Sequence, residues 1–392
     1  MGKWEMVRLG DICEVVSGTT PSTKKPELWN GNVKWIAPAE IKDNSYIIYD
    51  TVKQISEKAG LKPMPAGTVL LSSRAPIGKV AIAGCEMCCN QGFKNLICSE
   101  KILNRYLYRY LKSKTGHLNE LGRGATFKEI SKPIVEQIKI PLPPLEIQHQ
   151  IADVLDRVST LIEKRKAQIA KLDLLVKSRF VEMFGDPVTN PMRWEIKSIG
   201  DLTSTIVAGE SLNGETRVKL ADEKAVLKVS AVTYGYFKSD EYKVLVNHCD
   251  IKKNIYPQMG DLLFSRANTR EMVGATALIE RDYPDLILPD KLWRLLFKDC
   301  VIATYMKFAL SAKSIRAALS GMATGTSGSM YNISMEKLRS LMLPVPPIDL
   351  QNKFADFVEA ADKSKFEMKE QLEKLEQNYK SLMQMCFRGE IF

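Results

Sequence analysis

The sequence predicts an α+β protein in which two similar globular domains are joined and separated by two long antiparallel helices that form a coiled coil. Three observations predict it: a segment that occurs twice, a heptad pattern of apolar residues after each copy, and looser similarity upstream of both copies. We place the domains at residues 1–144 and 187–347 and the long helices at residues 145–186 and 348–392. This arrangement is an internal repeat with approximate twofold symmetry.

The repeated segment opens each predicted helix. The first copy reads Pro141-Leu142-Pro143-Pro144-Leu145-Glu146-Ile147-Gln148, and the second, 203 residues later, reads Pro344-Val345-Pro346-Pro347-Ile348-Asp349-Leu350-Gln351. The same spacing relates Ile130 to Ile333, Ser131 to Ser334, and Phe184 to Phe387. Solenoid units run to roughly 20–50 residues, so a repeat this long indicates a duplicated domain. We expect such a chain to contact a partner that also has two related parts.

The domains upstream of the two copies agree more loosely. Leu9-Gly10-Asp11-Ile12 corresponds to Ile199-Gly200-Asp201-Leu202, and the segment from Gly67 to Ser72 corresponds to the segment from Gly260 to Ser265. Small gaps are needed between these anchors. We therefore expect a shared scaffold whose differing loops let each half recognise something different.

Each predicted helix carries an apolar seam in steps of four and three residues, which is typical of a coiled coil. The first seam, which includes two arginines, is Ile151, Leu155, Val158, Ile162, Arg165, Ile169, Leu172, Val176, Arg179 and Met183. The second is Phe354, Val358, Ala361, Lys365, Met368, Leu372, Leu375, Tyr379, Leu382 and Cys386. An apolar stripe of roughly 50 Å needs a partner, so we expect the helices to pair with each other. The alternative is that each helix packs only on its own domain.

The composition favours a nucleic-acid partner. The 392 residues include 56 Lys and Arg against 46 Asp and Glu, a net charge of +10, and basic proteins commonly bind polyanions. No apolar run is long enough for a membrane span, and the N-terminus lacks a secretory signal pattern. The eight cysteines show no disulfide-framework spacing. We therefore expect a cytoplasmic protein with reduced cysteines and no membrane partner.

Catalytic and cofactor motifs are absent from the sequence. The phosphate-binding loop, dinucleotide and amino-methyltransferase patterns do not occur, and the three histidines are scattered. Cys85, Cys88 and Cys89 lack the second pair that a zinc site usually has, which favours a core or strand role. We expect no catalytic residue, no metal and no cofactor in this chain.

Three segments in each half have the residues to contact DNA: an element that leads from a strand into a loop, a short turn, and a loop rich in Gly, Ser and Thr. Backbone and hydroxyl groups suit phosphates, while Arg, Lys, Asn and Gln suit base edges. The candidates in the first half are Ser73, Arg74, Lys79, Gln91, Lys94, Arg123, Thr126 and Lys128. Those in the second half are Arg266, Asn268, Arg270, Lys291, Thr326, Ser327, Ser329 and Tyr331. For any single residue the alternative is a solvated turn.

The whole chain resembles the specificity subunits of type I restriction–modification systems. The resemblance rests on Pro-x-Pro-Pro-x-x-x-Gln opening each long helix, Gly-Ala-Thr and Gly-Thr-Ser before Ile-Ser, Met183-Phe184-Gly185-Asp186, and Phe387-Arg388-Gly389-Glu390. It implies two target-recognition domains that each bind one half of a bipartite, asymmetric DNA site, with the paired helices setting the gap. It also implies that methyltransferase subunits, usually two, dock on the helices and that restriction subunits join them. DNA methylation and S-adenosylmethionine binding would belong to these partners.

Two other functions compete with this interpretation. A basic coiled-coil adaptor would bind only proteins and show no sequence preference for DNA. A standalone methyltransferase or nuclease would bind its own cofactor or metal, for which the sequence has no motif.

Overall fold

The chain folds into two compact units, and the division between them falls inside both long helices. The structure, a computed structural model, describes residues 4–122, 128–246, 253–325 and 330–392. The first unit comprises Met1–Ala167 with Lys369–Phe392, and the second comprises Gln168–Met368. The long helices are Leu145–Phe184 and Ile348–Arg388, so each contributes to both units. The predicted α+β class with two similar domains is confirmed.

The first unit contains a five-stranded and a three-stranded sheet. In spatial order the strands of the larger sheet are Cys13–Ser17, Lys94–Cys98, Val69–Leu71, Val80–Ala83 and Ile47–Ile48. Those of the smaller sheet are Lys53–Ile55, Trp29–Ile36 and Cys88–Cys89, while Met6–Arg8 pairs with Lys139–Pro141. The short α-helices are Leu9–Ile12, Asn104–Ser113, Thr115–Leu121 and Lys132–Gln137, and the 3-10 turns are Pro26–Leu28, Pro38–Glu40 and Glu57–Ala59. The central strands Val69–Leu71 and Val80–Ala83 are apolar and buried at every position, as expected for strands that are covered on both faces.

The second unit repeats this plan with two four-stranded sheets. One contains Thr203–Ala208, Leu292–Phe297, Leu262–Ser265 and Thr276–Leu278, and the other contains Gly214–Glu215, Tyr242–Leu245, Ala225–Leu227 and Leu286–Ile287. Two further pairs are Glu195–Ser198 with Met342–Val345 and Ala267–Asn268 with Tyr331–Asn332. The short α-helices are Ile199–Leu202, Ala303–Ser311, Lys313–Met322 and Met335–Arg339, with a 3-10 turn at Val229–Ala231.

The repeated glutamine fastens each long helix to its domain. Gln148 is fully buried; its Nε2 donates to the carbonyls of Lys101 at 3.0 Å and Pro143 at 2.9 Å. Its Oε1 accepts from the Leu103 amide at 2.8 Å. Gln351 makes the matching three bonds with Cys300, Pro346 and Ile302 in the second unit. A buried amide with all of these bonds made fixes the angle at which the helix leaves the domain.

Within each unit the two long helices lie side by side and run antiparallel. In the first unit Ile151 and Leu155 share a core with Cys386, and Lys166 Nζ lies 2.8 Å from Glu376. In the second unit Asp173 pairs with Lys365, and Phe184 packs on Phe354 with ring centroids 5.4 Å apart. The apolar residues predicted for the two seams are all buried or half-buried.

Two of the cysteines for which the sequence predicts a core or strand role lie in a strand. Cys88 and Cys89 form a buried strand, as the sequence pattern favoured, and Cys98 ends the strand Lys94–Cys98. Among the described residues, no helix is long and apolar enough to cross a membrane.

Candidate nucleic-acid interface

The structure brings the candidate segments of the first domain together at one surface. The strand Val69–Leu71 continues into Ser73, whose amide donates to the Gly92 carbonyl at 2.8 Å. On the other side, the Ile130 amide donates to the Ser73 carbonyl at 2.9 Å, and Arg74 lies opposite Glu129. The strand-to-loop element therefore lies between the turn and the segment that precedes Ile130.

A carboxylate organises the positive charge on this surface. Glu129 accepts from Arg74 Nε at 2.8 Å and from Lys94 Nζ at 3.2 Å. Burial alone would raise the pKa of the Glu129 carboxyl, but these two cations outweigh it, so its pKa is lowered and the group stays ionised at neutral pH. The Arg74 side chain remains 46% exposed, and its guanidinium has N–H donors beyond the one that Glu129 uses. Arg74 is therefore oriented by the protein and still accessible to a ligand.

The other candidates of the first domain differ in accessibility. Gln91 and Lys128 are exposed, and Gln91 accepts a hydrogen bond from the Thr20 hydroxyl. Ser73 is fully buried and its hydroxyl donates to the Gly92 carbonyl, so it supports the backbone of the surface. Lys94 is also largely buried, and Lys79 donates to the Ile41 carbonyl at 2.7 Å.

The second domain assembles its matching segments in the same way. The Arg266 amide donates to the Lys291 carbonyl at 3.0 Å, and the Ile333 amide donates to the Arg266 carbonyl at 2.9 Å. Asn268 lies opposite Tyr331 in a short strand pair. The guanidinium of exposed Arg270 lies over the Tyr331 ring, 5.8 Å from its centroid. An arginine, an amide and an aromatic ring therefore share one surface.

The two best candidate arginines occupy positions that are one residue out of register. Arg266 makes the backbone bonds that Ser73 makes in the first domain, so the position that matches Arg74 is Ala267. Successive side chains of an extended chain point to opposite sides. Arg266 accordingly turns towards the neighbouring turn, where its Nε donates to the Asp290 carbonyl at 3.1 Å and its guanidinium lies 5.9 Å from the Trp293 ring centroid. The two domains thus present arginine from different places on one scaffold.

Five candidates lie outside the described residues. These are Arg123, Thr126, Thr326, Ser327 and Ser329.

The segment after Gly18 also belongs to this surface, although it is not among the segments predicted from the sequence. The Thr20 hydroxyl contacts Gln91 and accepts from Asn90 Nδ2 at 2.9 Å. Each half of the chain has a glycine that could have pointed to this segment. A Cβ at Gly18 would lie 1.9 Å from the Asn90 carbonyl oxygen, and one at Gly209 would lie 1.9 Å from the Leu288 carbonyl oxygen. Both glycines therefore mark a close backbone approach beside the candidate turn.

The described residues offer little for metal chemistry. Across the part of the chain that the structure describes, no group of three His, Cys, Asp or Glu residues could hold a metal ion. The groups that are present hydrogen-bond and carry charge, which suits binding of a polyanion.

Comparison with known proteins identifies similar sequences over most of the chain. A family model described as the type I restriction modification DNA specificity domain matches residues 1–172 and again residues 191–377. The MjaIX specificity subunit of Methanocaldococcus jannaschii is 38% identical over 221 residues, which are 51% of this chain and 51% of that relative. The EcoKI specificity subunit of Escherichia coli is 24% identical over 370 residues, 89% of this chain and 79% of the relative. The first of these alignments thus spans about half of the relative's length.

Two solved structures share the fold over nearly the whole chain. One, from work on complex assembly and conformational transition of the type I R-M system, has a TM-score of 0.63 and 18% identity, covering 99% of this chain and 98% of that one. The other, a type I restriction–modification S subunit from M. genitalium, has a TM-score of 0.58 and 14% identity, covering 98% and 96%.

Proposed function

Because the chain belongs to the family of type I restriction–modification DNA specificity domains, we propose that it is the DNA sequence-recognition subunit of a type I restriction–modification complex. Each recognition domain binds one half of a bipartite, asymmetric site in double-stranded DNA. The subunit carries no catalytic residue and uses no cofactor, since modification and cleavage belong to its partners. It works in the cytoplasm, where such DNA is accessible.

The observation that carries this proposal is the pair of matched surfaces with different side chains. At equivalent backbone positions the first domain has exposed Arg74 where the second has buried Ala267, and Lys128 where the second has Tyr331. A shared scaffold positions each surface in the same way, while the differing side chains present different hydrogen-bond patterns to base edges. Two such surfaces on one chain suit a site whose halves differ in sequence.

We propose that the paired helices set the gap between the half-sites and dock the methyltransferase subunits, two in each complex. Restriction subunits join them in the full assembly. The support is that the apolar seam residues are buried or half-buried, whereas Leu174, Leu175 and Phe366 remain 64%, 51% and 63% exposed. Large apolar side chains on the outer face of a paired helix suit a protein partner.

The experiment that tests the function is a map of methylated adenines in cells with and without this gene. The proposal predicts one bipartite motif that appears only with the gene and has a fixed number of unspecified bases between two different halves. An adaptor without sequence preference would leave the pattern of methylation unchanged, and that result would reject the proposal.

Single arginine variants assign the two surfaces to the two halves. Arg74→Ala should reduce discrimination in one half-site, and Arg266→Ala in the other, by about 1–3 kcal/mol if each makes a bidentate base contact. Loss that is equal for all sequences, with a flatter salt dependence, would instead assign a phosphate contact. Arg217→Ala is the control, since this arginine lies outside the candidate segments and its guanidinium pairs with Glu223 and Glu215. If either variant reduced sequence discrimination at both half-sites, the two domains would not act separately.

A further inference from the structure

We infer that the turn formed by Tyr234, Gly235 and Tyr236 is an additional DNA-contacting element of the second domain, which touches base edges through its aromatic rings. The inference rests on the proposed function and adds a segment outside the three described above. The contact is apolar and aromatic, not ionic.

The two tyrosines are exposed and held next to each other. Tyr234 is 61% exposed and Tyr236 is 55% exposed, with ring centroids 6.4 Å apart and ring planes inclined by 31°. Gly235 has a positive φ of 80°, which permits the tight turn between them. The turn is closed by the Lys238 amide, which donates to the Ala231 carbonyl at 2.9 Å. An aromatic pair on a closed turn offers contact area at little cost in conformational entropy.

The turn adjoins the candidate interface of the second domain. The Thr233 hydroxyl, next to Tyr234, accepts from Asn268 Nδ2 at 3.2 Å and donates to the Val229 carbonyl at 3.0 Å. Asn268 in turn lies opposite Tyr331, over which Arg270 is placed. A ligand that covers Asn268 and Arg270 therefore lies beside the aromatic pair.

The charges around the turn argue against a phosphate anchor. Lys238 Nζ lies 4.6 Å from the Tyr234 ring centroid and 5.7 Å from that of Tyr236. Asp240 and Glu241 follow at once, and Glu241 accepts from the Ser230 hydroxyl at 2.7 Å. The positive charges of Lys228 and Lys238 balance these two carboxylates, so the attraction of this segment for the DNA backbone is weak. Exposed rings beside a basic surface instead suit apolar contacts with base edges, such as the thymine methyl group.

The test compares DNA binding by the complex reconstituted with its methyltransferase subunits. The variant carries Tyr234→Ala and Tyr236→Ala, and a second variant carries Tyr234→Phe and Tyr236→Phe. Tyr49→Ala is the matched control, because Tyr49 is an equally exposed tyrosine (63%) that belongs to the first unit. The probes are duplexes with the intact site, with each half-site scrambled, and without a site. Affinity is measured over a series of salt concentrations.

We expect the double alanine variant to bind the intact site about tenfold more weakly, with less discrimination against a scrambled second half-site. The slope of log affinity against log salt should be unchanged, and the phenylalanine variant should retain most of the affinity. Unchanged binding by the alanine variant would overturn the inference. So would a loss equal on all duplexes with a slope shallower by about 0.9, which indicates a phosphate contact.

Loss of methyltransferase subunits from the alanine variant, measured by its mass in solution, would also overturn the inference, because the turn would then be a protein-docking element. A wild-type complex that prefers no sequence would reject the proposed function itself. A wild-type complex that is selective, with variants equally selective, rejects only the role of the turn.

Discussion

In each unit the long helices pack on the domain at a joint, which centres on Asp156 in the first unit and on Phe354 in the second, and the two joints share a backbone plan but differ in their side chains. In the first unit Asp156 on the long helix accepts hydrogen bonds from Tyr46 at 2.7 Å, from Arg105 Nε at 2.9 Å and from Arg109 Nε at 2.7 Å. Arg109 Nη1 also donates to the hydroxyl of Tyr379 on the other helix at 2.9 Å. This joint is a charged network.

In the second unit the position that matches Arg109 is Phe308, and the joint is aromatic. Phe354 is fully buried, with ring centroids 5.5 Å from Phe180, 5.4 Å from Phe184 and 5.1 Å from Phe308. The match is fixed by Tyr305, whose hydroxyl donates to the Pro344 carbonyl at 2.7 Å as that of Tyr106 does to Pro141. A duplicated fold therefore keeps its geometry through its backbone and glutamine bonds, while side chains at the joint are free to change class.

The largest effect is expected at the aromatic joint. Phe354→Ala removes a fully buried ring and leaves a cavity between the helices, which should lower the free energy of unfolding of the second unit by about 3–5 kcal/mol. Denaturant unfolding measures this, with hydrogen exchange to assign the loss to the second unit. Phe366→Ala on the same helix is the control, and because its ring is 63% exposed it should change stability by less than about 0.5 kcal/mol. If Phe354→Ala lowered the free energy of unfolding no more than Phe366→Ala, the aromatic joint would not stabilise the second unit.

The charged joint should respond almost as strongly to loss of its carboxylate. Asp156→Ala leaves Arg109, which is buried, without its counter-ion, and should cost about 3 kcal/mol in the first unit. Asp153→Ala is the control: this carboxylate also pairs with Arg105 but is about half exposed, so its loss should cost under about 1 kcal/mol. Equal losses of stability in the two variants would show that the buried ion pairs of Asp156 stabilise the unit no more than the exposed pair of Asp153.

The two joints should also differ in their response to acid. Burial alone would raise the pKa of the Asp156 carboxyl, but hydrogen bonds from Tyr46 and Arg105 and the charge of Arg109 outweigh burial, so its pKa lies below the usual value. Its stabilisation is therefore complete above the unfolded pKa of about 3.9 and is lost as pH falls through the lower folded pKa. The stability difference between the wild type and Asp156→Ala should shrink as pH falls below about 4. A difference that is constant between pH 7 and pH 3, in denaturant unfolding, would contradict this.

The smallest effects should be equal in the two units, because they concern the shared glutamines. Gln148→Ala and Gln351→Ala each remove the partner of one amide and two carbonyls that are partly or fully buried, and each should cost about 2 kcal/mol. Exposed Gln150 gives the control variant, Gln150→Ala. Denaturant unfolding in which one glutamine variant is as stable as the wild type and the other is strongly destabilised would contradict the equivalence of the two glutamines.

The sequence predicted what depends on periodicity and repetition. The heptad seams, the prolines before each helix and the repeated glutamine fixed the fold class and the long helices, since each of these signals is local. The anchors align Ser73 with Arg266, but the sequence could not predict that the Ser73 hydroxyl is buried or that Arg266 turns towards Asp290, because these contacts are made with distant segments. The sequence could not predict the charged network either, because Tyr46, Arg109 and Asp156 are far apart in the chain and meet only in the folded unit.

We propose that the two domains read two half-sites at a separation set by the paired helices. The direct test inserts four residues into each long helix, after Ala167 and after Met368, where the two units divide. Four residues add about 6 Å and nearly preserve the apolar phase, so the mapped methylation motif should keep both halves and gain one or two base pairs at roughly 3.4 Å each. Two-residue insertions rotate the seam by about 200° and should abolish modification. An active complex with the four-residue insertions and an unchanged gap would contradict the claim.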